Sequence, residues 1–334
     1  MEPLGIGLVG LGRWGRNYLK TLTALPECRL VAVADSEPAG RAAVADLTGS
    51  ASYDSMARLL SDPAVEAVVV ATPDRTHYSL SVAALEAGRD VLVEKPMTLT
   101  SSEAEMLVAR AAESRLVIGV GHTAAYSADI GSLRTLLDAL PRDSERRVVA
   151  ERTSSGPPAS RQSSVDNHQS SILFDLCPHD IALAVLLFGT PTAARGRASG
   201  QKAEYEIRFD GDGLVEGRAE WRQPPHVRRF EVAGDGEQPE SAGRTSGNRQ
   251  PAADIRHSPL GRQCLDFIES CRTRTQPLSN GPVGLSVVRC LEALARSSAD
   301  GGSWIALRPE MRAPDSERRA PESAPRPLEI GVRA

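Results

Sequence analysis

Two hydrophobic patterns divide the chain. Up to residue 121, short aliphatic runs rich in β-branched residues recur at 4–10 (LGIGLVG), 29–34 (RLVAVA), 65–71 (VEAVVVA), 90–94 and 116–121 (LVIGVG). Between them, apolar positions fall at helical spacing, as with Trp14, Tyr18, Leu19, Leu22 and Leu25. Helices are predicted over 14–25, 38–48, 55–60, 75–87 and 101–114. Gly88 stands where a helix C-terminus needs a left-handed residue. Runs without polar alternation suit strands buried on both faces, so this is a parallel sheet covered by helices, an α/β domain.

Beyond 121 the period changes. Residues 146–152, 192–198, 203–209, 214–220 and 227–233 alternate apolar and polar side chains. That is the pattern of strands with one face wet, expected here to be antiparallel. Helices are predicted over 131–140, 178–188, 259–272 and 282–297. The second domain is therefore α+β with an open, mainly antiparallel sheet. Residues 234–256 are Gly, Glu, Ser and Pro-rich and read as a loop, and the proline- and charge-rich 312–334 read as a disordered tail. The division expected is 1–121, 122–311 and the tail 312–334.

Composition narrows the function. A chain of 334 residues exceeds one typical core, which agrees with two domains. Its net charge of −4 offers no basic excess for nucleic acid. No apolar run approaches the ~20 residues of a membrane span, and no basic-apolar leader opens the chain. Five cysteines without a CxxC pair point to reduced thiols and a cytoplasmic setting. No His/Cys/Asp spacing suggests a metal. Only three of 39 basic residues are lysine, Lys20, Lys95 and Lys202. Lysine can lose its proton near neutral pH and arginine cannot, so each retained lysine is a candidate for chemistry.

Gly10-Leu11-Gly12-Arg13-Trp14-Gly15 is a GxGxxG loop between a predicted strand and a predicted helix. In that context it is a dinucleotide site. Gly10 makes the turn, Gly12 admits the pyrophosphate and Gly15 allows helix–strand packing. Arg13 and Trp14 open the helix whose N-terminus faces the phosphates. Asp35, with Ser36 beside it, ends the second strand 20 residues after Gly15. An acid there binds the ribose hydroxyls and repels a 2′-phosphate, which favours NAD over NADP. Arg41 reads as solvated surface.

After the third strand comes Ala71-Thr72-Pro73-Asp74 with Thr76-His77; after the fourth, Glu94-Lys95-Pro96. With Gly121-His122-Thr123, Tyr126, Asp175-Leu176-Cys177-Pro178-His179-Asp180 and Ser279-Asn280-Gly281, these motifs resemble the Gfo/Idh/MocA oxidoreductases. The GxGxWGxN, GHTxxY and DLxPHD forms resemble the nucleotide-sugar branch, which includes UDP-N-acetylglucosaminuronate 3-dehydrogenase. The resemblance covers roughly residues 4 to 300. It implies a Rossmann domain followed by an open sheet that often pairs subunits, hence a homodimer or homotetramer.

The resemblance also implies roles. Thr72, Pro73, His77, Glu94, Lys95 and His122 would border the cofactor. Lys95, Asp175 and His179 would be catalytic, with His179 the general base; removing a hydride from a carbinol carbon requires its hydroxyl proton to depart, and an ordinary imidazole titrates near neutrality. If the segment is helical, Asp175 and His179 share a face, and Pro178 allows this only near a helix start. Tyr126, with Lys95, Asp175 and His179, would meet the substrate. Apart from the resemblance, Arg152 and Arg161 could meet an acidic substrate, solvated surface being the alternative in so arginine-rich a chain.

The chain departs from the family pattern at Cys177, at Ser127 and Ala128, and over 154–171. The expectation is an NAD-dependent oxidoreductase acting on a ring hydroxyl or ketone of a sugar-like, possibly nucleotide-linked substrate. The alternatives are a redox-neutral enzyme that retains its NAD and a non-catalytic dinucleotide sensor.

Overall fold

A computed structural model describes residues 2–127, 130–140, 146–156, 172–233 and 255–307. The tail expected over 312–334, residues 234–254 of the loop expected over 234–256 and residues 157–171 of the unmatched segment 154–171 lie outside the described residues, as do Ala128 and Arg161; the end of the expected loop enters a short 3-10 helix, Ile255–His257.

The first sheet has six strands: β1 (Leu4–Val9), β2 (Cys28–Ala34), β3 (Ala51–Tyr53), β4 (Ala67–Val70), β5 (Asp90–Val93) and β6 (Ile118–Val120). Their order is β3-β2-β1-β4-β5-β6, and every pair is parallel. The helices between them are α1 (Arg13–Thr23), α2 (Pro38–Thr48), α3 (Met56–Leu60), α4 (His77–Glu86) and α5 (Ser101–Glu113). Sequence order reverses between β1 and β4, and the crevice above their carboxyl ends is where such a sheet binds its ligand. The three-residue β3 has too short a pattern to be read from sequence.

The second sheet is ordered β11-β7-β10-β9-β8-β12. Its strands are β7 (Arg146–Ser154), β8 (Pro191–Ser199), β9 (Lys202–Phe209), β10 (Gly213–Trp221), β11 (Arg228–Ala233) and β12 (Ile305–Ala306). The sheet is mixed: β10 and β7 run parallel, and its other pairs are antiparallel. Alternation reports which face is wet, not strand direction, so the parallel pair is not legible in the pattern.

Helices α6 (Ile130–Ala139), α7 (Ile172–Phe188), α8 (Pro259–Thr273) and α9 (Gly281–Ala299) complete the fold. Ile181, Leu291 and Leu294 pack with Ile207 and Val215 beneath the second sheet. Cys264, Phe267, Ile268 and Cys271 of α8 instead join Ile6, Tyr18 and Leu22 in a core of the first domain. A fully buried residue of this size contributes about 1.5–3 kcal/mol. The late helix α8 is thus part of the first domain's core, which a cut at residue 121 does not capture.

Helix α7 also differs from expectation. It begins by Ile172, six residues before the predicted start, and Pro178 lies inside it. Pro178 has no N–H for the carbonyl of Phe174, which loosens that turn. Apolar side chains surround the helix on nearly every face, so burial overrides the local breaker.

Candidate active site

The glycine loop occupies the crevice between β1 and β4. Gly10 has φ +93°, and a Cβ there would lie 2.6 Å from the Ala71 carbonyl oxygen and 3.0 Å from Thr72 Cγ2. A Cβ on Gly15 would be 1.9 Å from the Gly10 carbonyl oxygen, so helix and loop touch. At Gly12 nothing lies within 4 Å of where a Cβ would stand. Gly12 precedes α1 without a side-chain cap, and the first turn of α1 has no acid. Bare N–H groups facing open space fit a pyrophosphate. Arg13 and Trp14 stand exposed at this rim.

Asp35 lies beside the loop. Its Oδ2 accepts from Leu11 N at 2.6 Å and its Oδ1 from Glu37 N at 2.9 Å. Each oxygen keeps a further lone pair for a hydroxyl donor. Arg41 is not merely surface. Its Nη1 donates to the carbonyls of Asp35 (2.6 Å) and Ser36 (3.0 Å), fixing the turn that presents the acid.

Lys95 follows β5 at the carboxyl edge of the first sheet. Its Nζ donates to the backbone carbonyl of Asp175 at 2.6 Å and lies 3.3 Å from Asp175 Oδ1. Thus the scarce lysine meets the first turn of α7. Indole Nε1 of Trp221, at the end of β10, donates to the other carboxylate oxygen of Asp175 at 3.0 Å. The sequence offers no sign of this contact, because Trp221 only ends an alternating strand.

His179 lies one helical turn beyond Asp175, and its Nδ1 is buried without a hydrogen-bond partner among the described residues. Burial pushes its pKa well below the ordinary histidine value, and Arg152, Lys95, His122 and Arg228 push the same way. His179 is therefore a neutral imidazole, weaker as a base than an unperturbed histidine.

His122 is fully buried, with Nδ1 2.9 Å from Ser279 Oγ and Nε2 unpartnered among the described residues. Burial, with Lys95 nearby, lowers its pKa to about 3. Ser279 arrives from the turn before α9, where Asn280 caps the helix by accepting from Val283 N at 3.0 Å. Two bare ring nitrogens beside Lys95 each leave about 1–3 kcal/mol of lost hydrogen bonding for a ligand to restore.

Four expected site residues are turned to other work. Glu94 is buried; it accepts from Tyr18 Oη at 2.8 Å and from Lys95 N at 3.1 Å. Burial raises its pKa, and it braces the lysine loop from beneath rather than facing the crevice. His77 is buried with ring nitrogens 2.7 Å from the Pro96 carbonyl and 2.9 Å from the Thr72 carbonyl, tying the two loops together. Tyr126 gives its hydroxyl to Asp266 at 2.7 Å and receives Ser279 N at 3.3 Å. Arg152 donates from Nε to Asp180 at 2.9 Å and pairs through Nη2 as well, leaving less of it for a substrate. Apart from Lys95 N beside Glu94 and the Thr72 carbonyl near His77, these partners come from other segments, so spacing does not reveal them.

A family model described as an oxidoreductase family with an NAD-binding Rossmann fold matches residues 4–122. The N-terminal domain belongs to the Gfo/Idh/MocA oxidoreductase family. Among curated relatives, the chain is 33% identical over 189 residues to UDP-N-acetylglucosamine 3-dehydrogenase of Acidithiobacillus ferrooxidans, covering 57% of this chain and 56% of the relative. It is 35% identical over 138 residues to inositol 2-dehydrogenase 1 of Saccharopolyspora erythraea, covering 40% and 41%. The chain thus spans about half the length of the curated relatives it matches.

The fold similarity extends further. The crystal structure of GenD2 from gentamicin A biosynthesis in complex with NAD superposes with a TM-score of 0.80 at 24% identity, over 92% of this chain and 97% of that one. The likeness in fold therefore covers both sheets. No helix among the described residues is long and apolar enough to cross a membrane.

Proposed function

We propose that the protein is an NAD-dependent dehydrogenase or reductase acting on a ring hydroxyl or ketone of a sugar or sugar-like cyclic alcohol. The observation that carries this reading is the meeting of Lys95 with Asp175, one helical turn before His179, above the carboxyl edge of the NAD-binding sheet. Its substrate class draws on relatives that act on UDP-N-acetylglucosamine and inositol.

Gly10, Gly12, Gly15 and the first turn of α1 would hold the pyrophosphate, and Asp35 the adenosine ribose, in preference to NADP. The dinucleotide supplies a hydride acceptor or donor when bound. Lys95 orients the reacting oxygen. His179, neutral because it is buried among cations, takes or returns the hydroxyl proton. Asp175 balances the charge of Lys95 and holds its amine in place. His122, held by Ser279, presents its bare Nε2 to the bound pair. The outer face of the second sheet pairs Arg195 with Glu206 and Arg147 with Glu216. We assign that face to a homodimer or homotetramer contact, testable by light scattering.

The decisive test is turnover of NAD with a panel of cyclitols, sugars and nucleotide sugars, for wild type and for Lys95→Met and His179→Asn. Loss of a general acid–base group costs about 10²–10⁴-fold. Each variant is expected to lose turnover on that scale while NAD affinity, measured by calorimetry, stays close to wild type. The wild-type acid limb should lie well below pH 6.5, because His179 resists protonation. Wild-type turnover by both variants would remove the roles of Lys95 and His179, and NAD binding without turnover of any panel member by the wild type would leave a dinucleotide-binding protein as the better reading.

A further inference from the structure

The Asp175 carboxylate has two partners from opposite sides of the molecule. Lys95, from the first sheet, faces Oδ1; Trp221, from the second sheet, donates to Oδ2 at 3.0 Å. The carboxylate is 44% exposed and the lysine side chain 11%. A half-exposed aspartate ordinarily rotates among solvent contacts, and one directional N–H fixes which oxygen turns to the amine.

The indole is itself held firmly. Trp221 N donates to the Gln201 carbonyl at 2.9 Å, and Arg222 N donates to the Ser154 carbonyl at 2.7 Å. A Cβ on Gly156 would lie 3.1 Å from the indole Cγ, so the chain passes close against the ring. Trp221 also lies directly opposite Ser154 in the parallel β10–β7 pair. This is a rigid donor at a strand end, aimed at a carboxylate on a helix.

We propose that Trp221 is a positioning residue: its indole N–H sets the Asp175 carboxylate so that one oxygen faces the Lys95 amine. The proposal rests on the dehydrogenase reading only for its effect on turnover. Trp221→Phe keeps a ring against Gly156 and removes the donor. Losing one hydrogen bond to a charged group predicts a fall in kcat of about 10- to 100-fold, with NAD affinity unchanged and KM moved much less. In an Asp175→Asn background, the same substitution is expected to cost little more, because the pair acts as a unit. An equal fall in both backgrounds would mark Trp221 as packing only and overturn the proposal.

A second measurement needs no turnover. The chain has three tryptophans, Trp14, Trp221 and Trp304. In nitrogen-15 correlation spectra the Trp221 indole resonance is assigned by its loss in Trp221→Phe, or, if that variant does not fold, by a nitroxide spin label on a cysteine introduced at the neighbouring Gln223. It is expected to move upfield in Asp175→Asn, as a charge-assisted bond weakens. An indole resonance unmoved by Asp175→Asn overturns the proposal. A responsive resonance in a protein without turnover overturns the dehydrogenase reading instead, so the two failures are distinguishable.

Discussion

Asp180 offers a quantitative test of how the site is held. Its carboxylate side chain is 3% exposed and the paired Arg152 side chain 11%. Asp180→Asn keeps the shape but leaves a guanidinium buried without its counter-charge. Removing one partner of a buried pair costs about 3–5 kcal/mol, whereas an exposed pair is worth about 0–1 kcal/mol. Asn can still accept one hydrogen bond, so the lower end, about 3 kcal/mol, is expected. At about 2 °C per kcal/mol for a chain of this size, the melting temperature should fall by roughly 6 °C.

Urea titration and calorimetry measure the loss. The double variant Arg152→Met with Asp180→Leu removes both charges and should recover most of it. A single-variant loss below about 1 kcal/mol would show that water reaches the pair and refute the argument. A double variant as unstable as the single would show that packing, not charge, is at stake. The pair also touches function, because Arg152 is among the cations that lower the His179 pKa. Arg152→Met alone should therefore move the acid limb of turnover to higher pH.

The glycines of the loop should separate binding from folding. Gly12→Ala meets empty space and should weaken NAD binding with little change in the melting temperature of the free protein, whereas Gly15→Ala puts a methyl 1.9 Å from the Gly10 carbonyl and should destabilise the fold itself; calorimetric melting and NAD titration of both variants check this. His122 should make the fold acid-sensitive. Its pKa is about 3 when folded and near 6.5 when unfolded, so the unfolded chain binds the extra proton between those values. Stability is then complete above about pH 6.5 and falls with pH through the window, by about 2 kcal/mol between pH 7 and 5. Denaturant midpoints of His122→Asn should lose that much less over the same range, and an unchanged pH slope would assign the sensitivity elsewhere.

The sequence by itself determined the period of each element and the chemistry of its ends. Unbroken apolar runs such as Ala67–Ala71, short and rich in β-branched residues, read as strands covered on both faces, and Gly10, Gly12 and Gly15 carry their geometric demands within six residues. The scarcity of lysine marked Lys20, Lys95 and Lys202, and the Glu94-Lys95-Pro96 motif singled out Lys95 among them. Tertiary structure decided what each polar group faces. Glu94 and Tyr18 meet across 76 residues, Tyr126 and Asp266 across 140, and Trp221 and Asp175 across 46. The parallel run of β7 beside β10, the α7 start ahead of Pro178 and the placement of α8 in the first domain's core belong with them. A hydrogen bond between distant segments leaves no period in the chain, since its partners share only a point in space. Burial, which also drives His179 and His122 below their ordinary pKa, exists only once the surrounding elements have packed.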